Sequence, residues 1–202
     1  MPYPHKLSEE QILEEAARLV DEEGLAGLST RHLAERLGAR APSLYRYFPD
    51  KERLVRALSE RFLAELAAEL APHELPAELG RAYWDYALRH PHRYEAVVRE
   101  AVAIGGPANE GQAQATEPLL ALATRLNPRR PLPTARALWS YLHGAVDLRL
   151  HAPARDDLDT EEAFALGLTA FALGLANEGA EVGREESHGG AEGCAELTAV
   201  VR

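Results

Sequence analysis

Three features of the sequence predict an all-α protein. Alanine, leucine, glutamate and arginine dominate its 202 residues, and no stretch alternates apolar and polar residues as a half-buried strand would. Ser8-x-x-Gln11 has the pattern of a capping box, which marks a helix start. Between Leu54 and Leu70 a leucine or phenylalanine recurs every four residues, so one apolar stripe follows a helix about 30 Å long. We therefore expect a three-helix N-terminal head that this long helix links to a C-terminal helical domain.

The first helix of the head is predicted to run from Ser8 to about Glu23, just before Gly24. Ile12, Ala16 and Leu19 form its apolar stripe, whereas its outer face is rich in glutamate and aspartate. An acidic face is unsuited to nucleic acid, so this helix is expected to brace the head.

Two short helices joined by a tight turn follow. Ser29 or Thr30 can cap the first of them, and Gly38 ends it because glycine adopts the left-handed conformation without steric cost. Pro42 falls in the first turn of the second, which is predicted to be barely two turns long and to end at Phe48.

This stretch is basic, although the chain as a whole has a formal net charge of −10. Seven arginines and lysines lie between Arg31 and Arg56, against three carboxylates. Leu44 should point into the core, while Ser43, Tyr45, Arg46 and Tyr47 remain outside. A basic area in an acidic chain favours a phosphate-binding surface. These observations alone leave open a solvated helix pair in an ordinary bundle.

Asp50 is predicted to cap the long helix, which runs to about Leu70. Prolines and glycines divide the remainder into further helices. We expect these helices at about residues 78–90, 92–104, 114–126, 134–151 and 160–176.

The last two of these helices are apolar nearly all round, which predicts burial on two sides. About 14 apolar residues cannot span a bilayer that requires ~20, so no membrane segment is expected. We interpret the pair as a dimer interface of two helices from each subunit, with a purely internal core as the alternative. The interface residues are predicted to be Leu138, Leu142, Ala163, Gly167, Ala170, Phe171 and Gly174.

From Asn177 onward glycine, glutamate, serine and alanine predominate without periodicity, which predicts a disordered tail over residues 177–202. The head is assigned to residues 1–56 and the regulatory and dimerisation domain to residues 57–176. A lone Cys194 excludes an intramolecular disulfide, and the first residues lack the apolar core of a signal peptide. A cytoplasmic protein is expected.

The motif from Ser29 to Gly38, followed by Ala41-Pro42-Ser43-Leu44-Tyr45-x-x-Phe48-x-x-Lys51, resembles the helix-turn-helix of the tetracycline-repressor (TetR) family. The likeness runs from about Ser8 to Leu66. It implies a DNA-binding transcriptional regulator, usually a homodimeric repressor of a palindromic operator that a small-molecule effector releases. Trp139-x-x-x-His143-Gly144 also resembles the C-terminal domain of one subgroup.

The resemblance places DNA contacts at ten positions. Lysine, threonine and tyrosine should hold phosphates, whereas arginine and serine are better suited to base edges, and small apolar residues to a thymine methyl. Two positions depart from the usual pattern: Arg40 stands where a small capping residue is common, and Tyr47 stands where a histidine is frequent. The ten positions are Thr30, Arg31, Arg40, Ala41, Pro42, Ser43, Tyr45, Arg46, Tyr47 and Lys51.

Aromatic and polar residues of the C-terminal helices are candidates for a ligand pocket. His143, Asp147 and His151 follow one helix face at i, i+4 and i+8, a pattern open to a polar rail in a cavity, to a zinc site or to ordinary polar packing. No metal or other cofactor is assigned. The pocket candidates are Trp84, Tyr86, Tyr94, Trp139, His143 and Asp147.

Two other functional classes compete with a DNA-binding regulator. An enzyme is disfavoured because the sequence has no glycine-rich phosphate loop, nucleophile elbow, paired-cysteine motif or His-Glu-x-x-His. A helical dimer that binds a small molecule or metal without DNA would not require the exposed set Tyr45-Arg46-Tyr47.

Overall fold

The computed structural model describes the backbone of residues 7–102, 110–152 and 159–188, and the side chains of residues 7–97, 116–152 and 159–175. Every regular element in these ranges is an α-helix, which confirms the predicted fold class. The helices are α1 (Glu9–Gly27), α2 (Thr30–Arg36), α3 (Ala41–Leu44), α4 (Lys51–Leu70), α5 (Pro76–Arg89), α6 (Pro91–Val102), α7 (Glu110–Leu126), α8 (Pro131–His151) and α9 (Thr160–His188).

The predicted helix ends of the N-terminal part are confirmed. Ser8 Oγ accepts a bond from the Gln11 N–H at 3.2 Å, and the Ser8 N–H donates to Gln11 Oε1 at 3.0 Å, which completes the capping box. Asp50 caps α4 by accepting from the Arg53 N–H at 2.7 Å. Gly24, with a φ of 69°, kinks the chain where the first helix was expected to end.

The long helix α4 joins two hydrophobic cores. Its first half contributes Leu58 and Phe62 to a core shared with α1, α2 and α3. Its second half contributes Leu66 and Leu70 to a core shared with α5, α7, α8 and α9. The sequence-based boundary after residue 56 therefore falls within α4, because a single helix serves both cores.

Helix α6 also belongs to both cores, which the sequence did not predict. Ala96 and Val97 pack into the head, whereas Tyr94 packs into the C-terminal core. The domain assignment from sequence placed all of this helix in the regulatory domain. Periodicity identifies the buried faces of a helix but not the core that each face enters.

The last helix extends twelve residues beyond its predicted end, to His188. Residues 177–188 of the predicted tail are thus helical; they contain no proline and include several glutamates of good helix propensity. Residues 189–202 of that predicted tail lie outside the described residues. No helix among the described residues is long and apolar enough to cross a membrane.

Three residues assigned to the dimer interface pack within the chain. Leu138 and Leu142 are fully buried inside the chain, so their side chains cannot reach a partner. A Cβ at Gly167 would lie 2.1 Å from the hydroxyl oxygen of Tyr141, so this glycine permits close packing of α9 on α8 within one chain. The sequence does not show whether a small or apolar residue packs against a helix of the same chain or of a partner chain.

Candidate nucleic-acid interface

The turn between α2 and α3 is built by local capping. Ser29, rather than Thr30, caps α2 by accepting a bond from the His32 N–H at 3.1 Å. At the other end the Gly38 N–H donates to the Glu35 carbonyl and the Ala39 N–H to the Ala34 carbonyl, at 3.1 and 2.9 Å. This pair of bonds, with Gly38 at a φ of 61°, is a Schellman motif that redirects the chain into α3.

Helix α3 is shorter than predicted. It spans only Ala41–Leu44, after which the N–H groups of Tyr47 and Phe48 both donate to the Leu44 carbonyl at 2.9 Å. Arg40 provides no side-chain cap, as expected from its departure from the usual small residue. Leu44 and Phe48 are buried, and this confirms that the inner face anchors the segment. We call residues 40–53 the recognition segment.

The outer face of the recognition segment is open to solvent. Pro42, Tyr45 and Arg46 are exposed, and their i, i+3, i+4 spacing places them on one side of a helical turn. Ala41 and Ser43 are half-buried beside them. One apolar surface, one aromatic hydroxyl and one guanidinium are thus presented together.

Four cations of this segment have no carboxylate partner in the part of the chain that the structure describes. Arg40, Arg46, Lys51 and Arg53 are all exposed, and none has a carboxylate within 4 Å among the residues that the structure describes. Lys51 has only a long contact, 3.5 Å, from Nζ to the Leu25 carbonyl. A surface with several unpaired cations can exchange its counterions for phosphates.

Two other arginines of the basic stretch are already paired. Arg36 binds Glu15 at 2.6 Å and Glu22 at 2.5 Å on α1, and its guanidinium lowers the pKa of Glu22. Arg31 binds Glu35 at 3.0 Å on its own helix. Counting charges along the sequence therefore overstates the basic surface at Arg36. The count includes Arg53, but the ten contact positions placed by resemblance omit it.

Tyr47 is bonded to the chain rather than open to a phosphate. Its hydroxyl donates to the Leu7 carbonyl, just before α1, and the side chain is half-buried. Because phosphate oxygens only accept hydrogen bonds, this hydroxyl would have to leave Leu7 to bind one. The phosphate contact predicted for Tyr47 is therefore replaced by an anchoring role.

The six predicted ligand-pocket residues do not form one group. Trp84 stacks on Phe164 with ring centroids 4.5 Å apart, and the Tyr86 hydroxyl donates to the Phe62 carbonyl at 3.2 Å. Both residues are buried in the core. An open groove of about 560 Å³ between α4 and α7 is lined mainly by alanines, including Ala64 and Ala68, and by none of the six.

Three of the six, however, lie together between α6 and α8. The Tyr94 hydroxyl is 2.5 Å from His143 Nδ1, and Trp139 stacks on the His143 ring with centroids 5.2 Å apart. Burial lowers the pKa of His143 and raises that of Tyr94. The imidazole is therefore held neutral and can accept from the tyrosine.

Asp147 and His151 contact each other on the exposed surface. His151 Nδ1 lies 3.0 Å from Asp147 Oδ1, and its Nε2 lies 3.3 Å from Glu95 Oε1 on the exposed surface. The bond to Glu95 raises the pKa of His151. The predicted polar rail is thus split, and no cluster of metal-ligating side chains occurs among the described residues.

Large apolar side chains are exposed on the last two helices. Leu148, Leu166 and Leu173 are each more than 60% exposed, which is unusual for leucine. Ala170 lies between the two leucines of α9, on the same face, and Gly174 is also exposed. The sequence-based interface omitted the three leucines, although the seven-residue spacing of Leu166 and Leu173 is a signal that could have identified them.

Two family models match the chain. Residues 12–58 match bacterial regulatory proteins of the tetR family, and residues 76–171 match the tetracyclin repressor-like C-terminal domain. A helix-turn-helix-type transcriptional regulator from Mycobacterium tuberculosis is 34% identical over 199 residues, which cover 93% of this chain and 87% of the relative. The class A tetracycline repressor from Escherichia coli is 47% identical over 60 residues, covering 30% of this chain and 28% of that repressor.

Solved structures share the fold. A TetR variant from Acinetobacter baumannii AYE, in complex with minocycline, superposes with a TM-score of 0.65 at 26% identity, over 85% of this chain and 98% of the other. A Rhodococcus protein superposes with a TM-score of 0.73 at 23% identity, over 87% and 99% of the two chains.

Proposed function

Because the chain belongs to the TetR family of bacterial transcriptional regulators, we propose that it is a cytoplasmic homodimeric repressor that leaves a palindromic operator when a small molecule binds. Family membership makes it a DNA-binding regulator and not an enzyme. The observation that carries the proposal is the exposed recognition segment, whose cations Arg40, Arg46, Lys51 and Arg53 lack carboxylate partners among the described residues.

We assign the contacts by chemistry. Arg46, exposed beside Tyr45 and Pro42, is suited to bidentate bonding of a guanine edge in the major groove. Lys51 and Arg53 lie in the first turn of α4, where a cation and the helix N-terminus can both attract a phosphate. Thr30, Arg31 and Ser43 remain candidate contacts at the edges of this surface.

A dimer is proposed because one recognition segment covers only half of a palindrome. The exposed leucines of α8 and α9, together with Ala163, Ala170 and Gly174, supply an apolar surface for a second copy. Phe171, which is half-buried, would pack at its border. A small residue at position 170 or 174 allows the two α9 helices to approach closely.

Release by an effector requires a ligand that binds the DNA-incompetent conformation more tightly. Tyr94, Trp139 and His143 are the proposed effector contacts, because they combine aromatic surface with a bonded polar pair between two helices. A coupling free energy of about 1–3 kcal/mol would release the operator effectively. The minocycline-bound relative supports an aromatic or polycyclic ligand class.

Selection of bound sequences from random duplex DNA tests the proposal. The full-length protein should enrich a palindrome whose half-sites are about one helical turn apart. Arg46→Ala should lose the preference at one base pair of each half-site, whereas Arg18→Ala, a paired arginine on α1, should select the parent sequence. If no palindrome is enriched, the proposal that the protein binds a palindromic operator is wrong.

A small-molecule panel added to the enriched DNA complex tests release separately. At least one compound should lower affinity by about tenfold or more, as the coupling above requires. The same compound should release a Trp139→Ala variant less effectively.

A further inference from the structure

An alternating chain of charged side chains joins α1, α4 and α6. Glu10 on α1 binds Arg61 on α4 at 2.9 Å, and Arg61 binds Glu65 on the same helix at 3.3 Å. Glu65 also binds Arg93 on α6 at 2.6 Å. Arg93 then returns to α1, where its Nε and Nη2 atoms bind the two oxygens of Asp21 at 2.6 and 2.5 Å.

Arg93 is the member that closes this chain. Its guanidinium lies 5.1 Å from the centre of the Phe62 ring, and its side chain is only 18% exposed. Bidentate geometry, a second carboxylate and an aromatic face together distinguish it from an isolated surface pair, which contributes little. Lysine could not reproduce the arrangement, because its single ammonium cannot bind Asp21 through two parallel bonds.

Apolar contacts surround the ionic ones. Ala96 and Val97, one turn beyond Arg93, pack into the core of the head. His92 packs against the kink at Gly24, where a Cβ would lie 3.2 Å from His92 Nδ1. The first turns of α6 therefore fix the C-terminal end of α1 by charge, by apolar burial and by shape.

The same turn of α6 also binds α8. Tyr94 contacts His143, and Glu95 contacts His151, both on α8. Arg93, Tyr94 and Glu95 thus connect the head on one side with the helix that bears exposed Leu148 on the other. Besides α4, one path from the head to the proposed dimer surface therefore passes through these three consecutive residues.

We propose that Arg93 is a positioning residue for DNA binding. By fixing α1 and α4 to α6, it sets the orientation of the head relative to α8 and thereby the half-site spacing that the dimer accepts. The inference rests on the proposed dimeric DNA-binding function. Loss of the Arg93 bonds leaves the recognition segment intact but gives each head freedom to rotate.

The experiment measures affinity for the selected palindrome and for two derivatives with one base pair inserted or deleted between half-sites. Each change moves a half-site by about 3.4 Å and rotates it by about 35°. The parent should bind both derivatives at least about tenfold more weakly than the palindrome. In Arg93→Met this ratio should fall to about threefold or less, with affinity for random DNA unchanged within about twofold.

Arg89→Met is the matched control. Arg89 on α5 binds Glu69 on α4, so the variant removes an arginine–carboxylate contact to the same helix without a link to the head. It should keep the spacing preference of the parent. Asp21→Asn, which removes the bidentate partner and leaves Arg93 in place, should relax the preference partly and serves as the test if Arg93→Met does not fold.

Three outcomes would overturn the inference. Folded Arg93→Met with the spacing ratio of the parent would show that Arg93 does not set the spacing. A uniform loss of affinity for all three duplexes would show a merely structural role. A parent with no spacing preference would overturn the proposed dimeric operator as well, and this result is visible before any variant is compared.

Discussion

The acidic face of α1 and the recognition segment belong to the same head. Several carboxylates of α1 are paired with arginines, whereas four cations of the recognition segment have no carboxylate partner among the described residues. Carboxylates of α1 bind one arginine from each of three other helices: Arg36 of α2, Arg61 of α4 and Arg93 of α6. Arg40, Arg46, Lys51 and Arg53 have no such partner among the described residues. A count of charges along the sequence therefore does not locate a binding surface, because ion pairing decides which cations remain available.

The largest expected effect is a charge reversal that contrasts the two regions directly. Arg46→Glu should weaken operator binding about 100-fold or more, because a base contact is lost and a carboxylate faces the DNA. Arg18→Glu makes the same change of net charge on α1, where Arg18 binds Glu14 and Glu15, and should weaken binding by less than about threefold. Fluorescence anisotropy with labelled operator measures both. Equal losses would mean that only net charge matters.

Lys51→Ala should have a smaller effect that does not depend on the DNA sequence. Removal of one phosphate contact from each head should weaken binding to operator and to random DNA alike, by about five- to tenfold, and should reduce the slope of log affinity against log salt by about 1 for each subunit bound. Lys51→Arg, which keeps the charge, is the control. A loss confined to the operator would identify Lys51 as a base contact instead.

Arg36→Met removes an arginine that is paired with carboxylates of α1. At neutral pH it should lower the urea midpoint of unfolding, because Glu15 and Glu22 lose their partner, and it should change operator affinity by less than about twofold. The pKa of Glu22 is depressed below its ordinary 4.5, so the contribution of the pair is present above pH 4.5 and disappears as pH falls through the lower folded value.

Urea titrations of parent and Arg36→Met at pH 7 and pH 3 measure this dependence. The difference between the two midpoints should be clear at pH 7 and should shrink at pH 3. A difference of the same size at both pH values would mean that Arg36 acts through packing rather than charge.

Tyr47→Phe is expected to have the smallest effect. Loss of the hydroxyl bond to the Leu7 carbonyl should lower the free energy of unfolding by about 0.5–1.5 kcal/mol, with operator affinity unchanged within about twofold. Tyr45→Phe, at a 50% exposed position, is the comparison: it should leave stability unchanged and weaken DNA binding. The reverse pattern would restore the phosphate role of Tyr47.

Local signals in the sequence predicted the head well. Ser8, Gly24, Gly38 and Asp50 mark helix ends through interactions within a few residues, and such interactions can be recognised without knowledge of the fold. The periodic stripe that includes Leu58 also determined the full length of α4, Lys51–Leu70.

Long-range partners could not be predicted in the same way. The acceptor of the Tyr47 hydroxyl is 40 residues away, and Asp21 is 72 residues from Arg93. Leu138 and Leu142 have the apolar character of interface residues but are buried within one chain. Packing decides these roles, and periodicity carries no information about which helix faces which.

The salt dependence of operator binding shows whether the recognition segment is the DNA-binding surface. A variant with Arg40, Arg46, Lys51 and Arg53 all replaced by alanine is compared with one in which Arg18, Arg81, Arg89 and Arg125, each bound to a carboxylate, are replaced. The slope of log affinity against log salt should fall by about 3 or more only in the first variant. Equal slopes in both variants would contradict the assignment of the recognition segment as the DNA-binding surface.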